Sequence, residues 1–206
     1  LTIDSLSILA SSGLTIHTNC PNISFRTQDG VITMSQRMDE EIGPNHYRAA
    51  SGRYLEEFSV GDIYEHHPGR TVSQQDNAWF TLLTMNTHPL HFDEEYAKGT
   101  EFGRPLVASP LTVAIIVGMS VSDVSEKAIA NLGWKEIKLT NPVFPGDTLY
   151  AKSEVIEVRE SKSRPNAGIV SISTIGTNQD GVIVCEFERS MLIPKKMQVP
   201  TKSKDS

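Results

Sequence analysis

The chain has 206 residues, of which 38% are hydrophobic and 21% are charged. A chain of this length and composition can bury the core of one sizeable domain, which excludes wholesale disorder. Its formal net charge of −6 argues against a nucleic-acid-binding protein, because such proteins usually have a basic face. The longest apolar run, residues 111–119, is too short for a membrane-spanning helix of about 20 residues. We therefore expect no nucleic acid and no membrane among its partners.

The two cysteines, Cys20 and Cys185, are too few for a disulfide framework and form no CxxC metal pair. Cysteine usage of this kind is typical of a reducing compartment. It predicts a cytoplasmic location.

Residues 1–50 are predicted to form an unstructured arm, because the segment is rich in Ser, Thr, Asn and Gly and shows no sustained period. It also lacks the basic flank and continuous apolar core of a signal peptide. An alternative is that this sequence lies upstream of the true start, at Met34 or Met38. The polar residues 195–206 are predicted to be a loose tail, which leaves one domain over residues 51–194.

The first predicted helix begins at Asp76, whose carboxylate in the N-cap position would accept the free N–H groups of the first turn. It ends before Pro89, because a residue that precedes proline is pushed out of the helical region. A second, short helix covers residues 93–98 and ends at Gly99. We expect the apolar side chains of the first helix to form one buried face: Ala78, Trp79, Leu82, Leu83 and Met85.

A third helix is predicted to begin with Ser109 as its N-cap and Pro110 as its first helical residue. Residues 111–121 follow with almost no polar side chain. A helix that is apolar all round is expected to be buried on all sides. The rest of the chain must therefore cover it.

The remaining pattern predicts long antiparallel strands, separated by turns at Gly146-Asp147 and Asp180-Gly181. One apolar helix followed by a meander of strands predicts an α+β fold, in which a curled antiparallel sheet wraps around a buried central helix. The strands are predicted over residues 64–72, 136–144, 148–158, 168–177 and 181–193.

Some basic residues fall outside this simple pattern. Arg189 interrupts the apolar face of the last strand, which places it either at a dimer seam or against a carboxylate. His66 and His67 precede Pro68-Gly69 in a predicted turn, so we expect both imidazoles to be solvated and assign them no role.

The densest group of reactive side chains is NTHPLHFD at residues 86–93. Histidine suits proton transfer because its ordinary pKa of about 6.5 lies close to working pH, so this loop is a candidate acid/base site. A histidine in a loop is, however, more often structural. A metal site made of His88, His91 and Asp93 is a weaker alternative, because Pro89 prevents a helical presentation of the ligands and no distant Cys/His pair completes the set.

Three blocks in this order, NTHPLHFD at residues 86–93, FGRPLVAS at 102–109 and NPVFPGDTL at 141–149, resemble the MaoC-like hydratases. This family has the hotdog fold and includes the (R)-specific enoyl-CoA hydratases. The stretches at residues 84–87, 89–91 and 129–133 are most similar to the branch of itaconyl-CoA and mesaconyl-CoA (β-methylmalyl-CoA) hydratases. The resemblance covers residues 54–194.

The resemblance implies catalytic roles for His91, Asn86 and Ser109. His91 falls on the catalytic histidine of the family, and Asn86 stands where the family has its catalytic aspartate. An amide cannot deprotonate water, although it can hold a water molecule by hydrogen bonds. Ser109 replaces the glycine that opens the central helix, and its backbone N–H is expected to stabilise the enolate oxygen at the positive end of that helix.

Substrate-binding roles are expected for Arg104, Pro89, Val107 and Ala108. Arg104 either anchors a phosphate of CoA or simply turns the chain with the following proline. The apolar side chains beside the helix would exclude bulk water.

The resemblance thus implies a hydratase or dehydratase that acts on a short, branched or dicarboxylic enoyl-CoA. Such an enzyme needs no metal and no redox cofactor, because CoA enters as part of the substrate, and it is expected to be a homodimer. Two alternatives are a hotdog acyl-CoA thioesterase and a non-catalytic module that binds acyl-CoA or an acyl carrier. The missing aspartate favours the binding module.

Overall fold

The computed structural model describes residues 51–196, together with 15–16, 24–27, 30–33 and 40–48. The chain divides into two units, residues 1–50 and 51–206. The predicted start at Met34 or Met38 and most of the predicted tail lie outside the described residues. The first unit contains a three-stranded antiparallel sheet and a hairpin, formed by β1 (Thr15–Ile16), β2 (Ser24–Thr27), β3 (Gly30–Thr33), β4 (Glu40–Gly43) and β5 (His46–Arg48).

The second unit is built on one five-stranded antiparallel sheet with the order β6-β8-β9-β10-β7. The two outer strands, β6 and β7, each have one neighbour within the sheet. These strands cover β6 (Ile63–Thr71), β7 (Ala130–Lys138), β8 (Thr148–Glu160), β9 (Ala167–Thr177) and β10 (Ile183–Pro194).

The strand predicted over residues 136–144 lies earlier in the chain than predicted. β7 begins at Ala130 and ends at Lys138. Residues 139–144 leave the ladder, since Pro142 lacks the N–H that a central strand needs. The Thr140 hydroxyl and the Asn141 amide instead donate to one carbonyl of β10, that of Ile183, at 2.6 and 2.7 Å.

Three α-helices precede the long strands: α1 (Gln74–Thr84), α2 (Glu94–Lys98) and α3 (Ser109–Met119). Short 3-10 helices cover Leu55–Glu57 and Pro89–His91, and a π-helix covers Val121–Ser125. The central helix α3 packs against the sheet, where Ile116 lies directly over Gly176. A Cβ atom at Gly176 would lie 2.2 Å from Ile116 Cδ1, so the glycine permits this close approach.

Both predicted N-caps are wrong: the cap of α1 lies three residues earlier than predicted, and the cap of α3 lies one residue earlier. Ser73, not Asp76, caps α1: the Ser73 hydroxyl oxygen accepts from the Asp76 N–H at 3.1 Å, and the Asp76 carboxylate accepts from the Ser73 N–H at 2.9 Å. This reciprocal capping box places the acidic residue at the third helical position. The cap of α3 is Ala108, which makes Ser109 its first helical residue.

The prediction that α3 is buried on all sides is wrong within this chain. Leu111, Thr112 and Ile116 are buried against the sheet, whereas Ala114 and Gly118 on the opposite face are exposed. A single sheet layer covers only one face of a helix. The open face of α3 continues into a cavity of about 620 Å³ whose other wall is formed by β7 and the residue after it: Trp134, Ile137 and Leu139.

The apolar face of α1 is likewise not buried, contrary to the prediction. Its large side chains are 70 to 87% exposed: Trp79, Leu82, Leu83 and Met85. The buried residues of this helix are Asn77 and Thr81. The apolar stripe on α1 therefore marks the outer face of the helix within this chain.

A buried polar network corrects the expectation that His66 is solvated. His66 is only 1% exposed, and its Nδ1 lies 3.1 Å from a carboxylate oxygen of Asp123. Because a carboxylate only accepts, Nδ1–H donates to Asp123, and Nε2 accepts from the Ser153 hydroxyl at 2.8 Å. The hydroxyl oxygens of Ser153 and Thr174 lie 2.8 Å apart and continue the chain of hydrogen bonds.

Arg189 lies in the interior of the second unit, and its Nη2 donates to the hydroxyl of Ser120 at 2.8 Å. Burial lowers the pKa of this guanidinium to about 10. Ser120 follows the last residue of α3, about 16 Å of helix away from Ser109 at 1.5 Å per residue. Arg189 thus lies at the end of α3 opposite to Ser109.

The burial of His66 predicts a pH dependence of stability. Burial lowers the pKa of His66 from its ordinary 6.5, although Asp123 opposes this shift. The unfolded chain therefore binds a proton that the folded chain does not bind, and the free energy of unfolding should fall as pH drops below about 6.5. Denaturant unfolding between pH 5 and 8 measures this slope, which should be smaller in His66→Gln.

His67→Gln is the matched control, because His67 is the exposed neighbour of His66. It should change the slope of the native chain much less than His66→Gln does, because His67 affects the pKa of His66 only through its charge. An equal slope in His66→Gln and in the native chain would contradict the prediction.

Candidate active site

The loop that follows α1 is held by short-range hydrogen bonds. Met85 adopts the left-handed conformation with φ of 55°, which turns the chain out of the helix, and the Asn86 N–H donates to the Thr81 carbonyl at 2.9 Å. The side-chain oxygen of Asn86 accepts from the His88 N–H at 3.1 Å, and Nδ1 of His88 accepts from the Leu90 N–H at 3.2 Å. The loop therefore presents its side chains from a defined backbone.

His91 is held in one tautomer. Its Nδ1 lies 2.8 Å from the carbonyl oxygen of Leu106, and a carbonyl can only accept, so Nδ1 carries the hydrogen. This arrangement leaves Nε2 unprotonated in the neutral ring, which is the form that a general base requires. The side chain is half-buried, at the end of a 3-10 helix.

Asn77 is a site residue that the sequence reasoning missed. It is fully buried, and its side-chain amide nitrogen donates to the carbonyls of His91 at 2.8 Å and Leu106 at 2.9 Å. Its side-chain oxygen accepts from the Ala108 N–H at 2.9 Å. In the sequence, Asn77 is an amide residue on a helix that has an apolar stripe. That stripe predicted burial of the face that the structure leaves exposed, so Asn77 was not selected.

Ser109 opens α3 and lies exposed at its positive end. The first four N–H groups of a helix have no partner inside it, so the Ser109 N–H is available to an anion. Ser109 lines a cavity of about 220 Å³ together with Leu106, Val107 and Thr112. Because Leu106 also holds the imidazole of His91, the structure links the candidate base to the start of this helix.

Asn86 lines a different cavity, of about 450 Å³, which lies on the α1 side of the loop. Ser109 does not line this cavity. The described residues therefore connect His91 with the start of α3 but place Asn86 beside an apolar groove. Its lining contains no charged side chain: Ala78, Thr81, Leu82, Met85, Asn86, Thr87 and Phe92.

The residues predicted to bind substrate differ in their accessibility. Arg104 is exposed, with its guanidinium carbon 3.8 Å from the centre of the Phe144 ring, a cation–π contact that orients it. Pro89 is half-buried at the start of the 3-10 helix. Val107 and Ala108 are buried, at 2% and 0% exposed. Their binding roles stay predictions.

The part of the chain that the structure describes holds no group of three His, Cys, Asp or Glu side chains arranged for a metal ion. In the His88, His91 and Asp93 set, the carboxylate of Asp93 caps α2 and accepts from the Tyr96 N–H at 3.0 Å. Within the same described residues, no helix is long and apolar enough to cross a membrane.

Comparison with known proteins places the chain in a family. The family profile described as mesaconyl-CoA hydratase matches residues 44–205. A mesaconyl-CoA hydratase of Cereibacter sphaeroides is 34% identical over 146 residues, which are 71% of this chain and 42% of that protein. The chain thus spans about two fifths of the length of these curated relatives.

Solved structures agree with this assignment. A MaoC-like dehydratase from Rhodospirillum rubrum is 28% identical with a TM-score of 0.64, and the match covers 71% of this chain and 100% of that chain. A Mycobacterium tuberculosis protein described as a double hotdog fold has a TM-score of 0.65 at 23% identity, over 72% of this chain and 46% of that chain. The latter likeness shows the fold.

Together, these observations define a MaoC-like protein with the hotdog fold, as the resemblance of the three sequence blocks implied. Within this class, the chain belongs to the mesaconyl-CoA hydratase family.

Proposed function

We propose that this chain holds the active site of a carbon–oxygen lyase that adds or removes water across the double bond of a short, branched or dicarboxylic enoyl-CoA. The observation that supports this proposal is the fixed tautomer of His91, whose Nδ1 is bound to the carbonyl of Leu106, three residues before the start of α3. The relatives named mesaconyl-CoA hydratase and beta-methylmalyl-CoA dehydratase indicate the substrate class.

In the proposed reaction, Nε2 of His91 accepts a proton from water while the water oxygen bonds to Cβ of the enoyl thioester. The electron pair of the double bond moves toward the thioester oxygen, which becomes an enolate. The Ser109 N–H and the positive end of α3 stabilise this charge, and loss of one such donor typically costs about 10²–10³ in rate. The imidazolium then returns its proton to Cα, and Asn86 orients the water.

This chemistry needs no resident metal or redox cofactor, because proton transfer and backbone hydrogen bonds supply each step. CoA takes part only as the thiol half of the substrate. The cation of Arg104, held over Phe144, is the proposed contact for a CoA phosphate. The buried side chain of Val107 contributes to the water-excluding wall beside Ser109.

We propose a cytoplasmic location, because the cysteine among the described residues is a free thiol. Cys185 is buried and free, and burial raises the pKa of its thiol to about 11. A thiol in this state stays protonated and needs no oxidising compartment.

His91→Ala should abolish hydration, because it removes the proposed base. The test follows loss of the conjugated thioester absorbance with crotonyl-CoA, mesaconyl-CoA and itaconyl-CoA. The exposed histidine His67 offers a matched control, and His67→Ala should keep the native rate. Full activity in His91→Ala would contradict the proposed mechanism.

Asn86→Asp should keep the native rate or raise it, because a carboxylate restores a second base at this position. The same absorbance assay measures the change. The specific observation that favours a non-catalytic module is that Asn86 already accepts a hydrogen bond from the loop backbone. Tight acyl-CoA binding by the native chain without turnover of any ester would support that second function and reject hydration.

We further propose that the chain works as a homodimer in which a second copy covers the open face of α3. β7 is an edge strand, and the apolar side chains near it are about half exposed: Trp134 at 46%, Ile137 at 47% and Leu139 at 47%. A strand at the edge of a sheet leaves a row of N–H and C=O groups that can pair with another sheet. The structural relative described as a double hotdog fold supports the pairing of two such units.

Ile137→Glu should convert the dimer into a monomer, because it places a charge in the proposed seam. Light scattering after size-exclusion chromatography measures the mass, which should be twice that of the chain before the substitution. Ile156→Glu is the control, since Ile156 is 38% exposed and lies on β8, which two strands separate from β7. This variant should remain a dimer. A native chain that elutes as a monomer, or a dimer that survives Ile137→Glu, would reject this interface.

A further inference from the structure

We propose that Asn77 is the positioning residue that fixes His91 relative to the start of α3. The inference rests on the proposed hydratase function, and it assigns a role to a residue of α1 that carries no acid/base chemistry itself. Asn77 is 0% exposed and does not reach the solvent. Its effect on the reaction must therefore pass through the groups that its amide holds.

The amide nitrogen of Asn77 holds the base from two directions. One N–H donates to the backbone carbonyl of His91 at 2.8 Å, which fixes the main chain under the imidazole. The other donates at 2.9 Å to the carbonyl of Leu106, the same oxygen that lies 2.8 Å from Nδ1 of His91. Asn77 thus fixes the residue that bears the base and the acceptor that orients its ring.

The side-chain oxygen of Asn77 holds the other half of the site. It accepts from the Ala108 N–H at 2.9 Å, and Ala108 is the cap of α3. The next residue along the chain is Ser109, whose N–H is the proposed donor to the enolate oxygen. One side chain therefore connects the loop of the base with the helix end that stabilises charge.

No side chain of similar size replaces this set of hydrogen bonds. Asparagine supplies two donors and one acceptor from a short stem, whereas aspartate supplies acceptors only and leucine supplies none. Gln74 gives a partial parallel, since its amide nitrogen donates to the His91 carbonyl at 3.0 Å. Gln74 makes no hydrogen bond to Leu106 or Ala108 among the described residues, so it holds the loop without connecting it to α3.

Asn77→Asp separates positioning from packing, because the two side chains have nearly the same shape. The introduced carboxylate keeps its bond to the Ala108 N–H but directs an oxygen at the carbonyls of His91 and Leu106. We expect kcat to fall by about 100-fold, as displacements of about 1 Å can cause, while KM changes by less than about threefold. Toward low pH, the loss of kcat relative to the native chain at the same pH should become smaller, because a protonated carboxyl regains one donor.

Thr174→Val is the control variant, because it also removes hydrogen-bonding capacity from a fully buried polar side chain. Thr174 is 0% exposed, and its hydroxyl bonds only to Ser153 among the described residues, within the network at His66. This variant should unfold at lower denaturant concentration yet keep the native kcat. A loss of kcat in Thr174→Val equal to that in Asn77→Asp, or a folded Asn77→Asp chain with native kcat, would overturn the inference.

Nitrogen-15 NMR of the His91 ring tests the inference without any turnover. The native spectrum should show the hydrogen on Nδ1 only, and Asn77→Asp should show exchange between the two ring nitrogens. An unchanged His91 spectrum in that variant would overturn the positioning role. Failure of the native chain to hydrate any ester would reject the proposed function instead, and the NMR result would still decide what Asn77 does.

Discussion

The carbonyl oxygen of Leu106 is the acceptor on which the candidate site depends. It receives hydrogen bonds from the His91 imidazole at 2.8 Å and from the Asn77 amide at 2.9 Å, so it uses both of its lone pairs. Its own residue is anchored in turn, because the Leu106 N–H donates to Leu90 at 3.1 Å. A carbonyl with two donors is fixed in direction, and fixing it sets both the tautomer and the orientation of the imidazole.

The second constraint is geometric: one curled sheet covers one face of the central helix. Ile116 packs over Gly176 on the covered face, while Ala114 and Gly118 remain uncovered on the other. This division explains why α3 is apolar all round although only part of it is buried here. It also explains why the cavity between α3 and β7 is open, since no second layer among the described residues of this unit covers it.

The sequence predicted the fold class and the family, and both are confirmed. The order of one apolar helix followed by long alternating strands predicted the α+β class, and the three sequence blocks identified the hotdog fold. The loop from residue 86 to 93 located the candidate base. The roles assigned to His91, Asn86 and Ser109 remain predictions. Their backbone positions follow from local rules of turns, prolines and helix starts, which act over a few residues.

The errors have a common physical cause, which is contact with distant parts of the chain. Asn77 is buried because three backbone groups far along the sequence need its amide, and no local pattern shows them. His66 is buried because Asp123 and Ser153 supply partners from other elements. The apolar stripe of α1 predicts a buried face only when the partner of that face lies in the same chain.

The buried guanidinium of Arg189 has an electrostatic consequence for the opposite end of α3. The peptide dipoles of a helix place about half a positive charge at its start and about half a negative charge at its end. Arg189 donates to the Ser120 hydroxyl at this end of α3, so a buried cation lies close to the negative end of the helix. A cation in that position opposes the partial negative charge. The start of α3, where Ser109 lies, therefore keeps its partial positive charge with less opposition from the far end of the same helix.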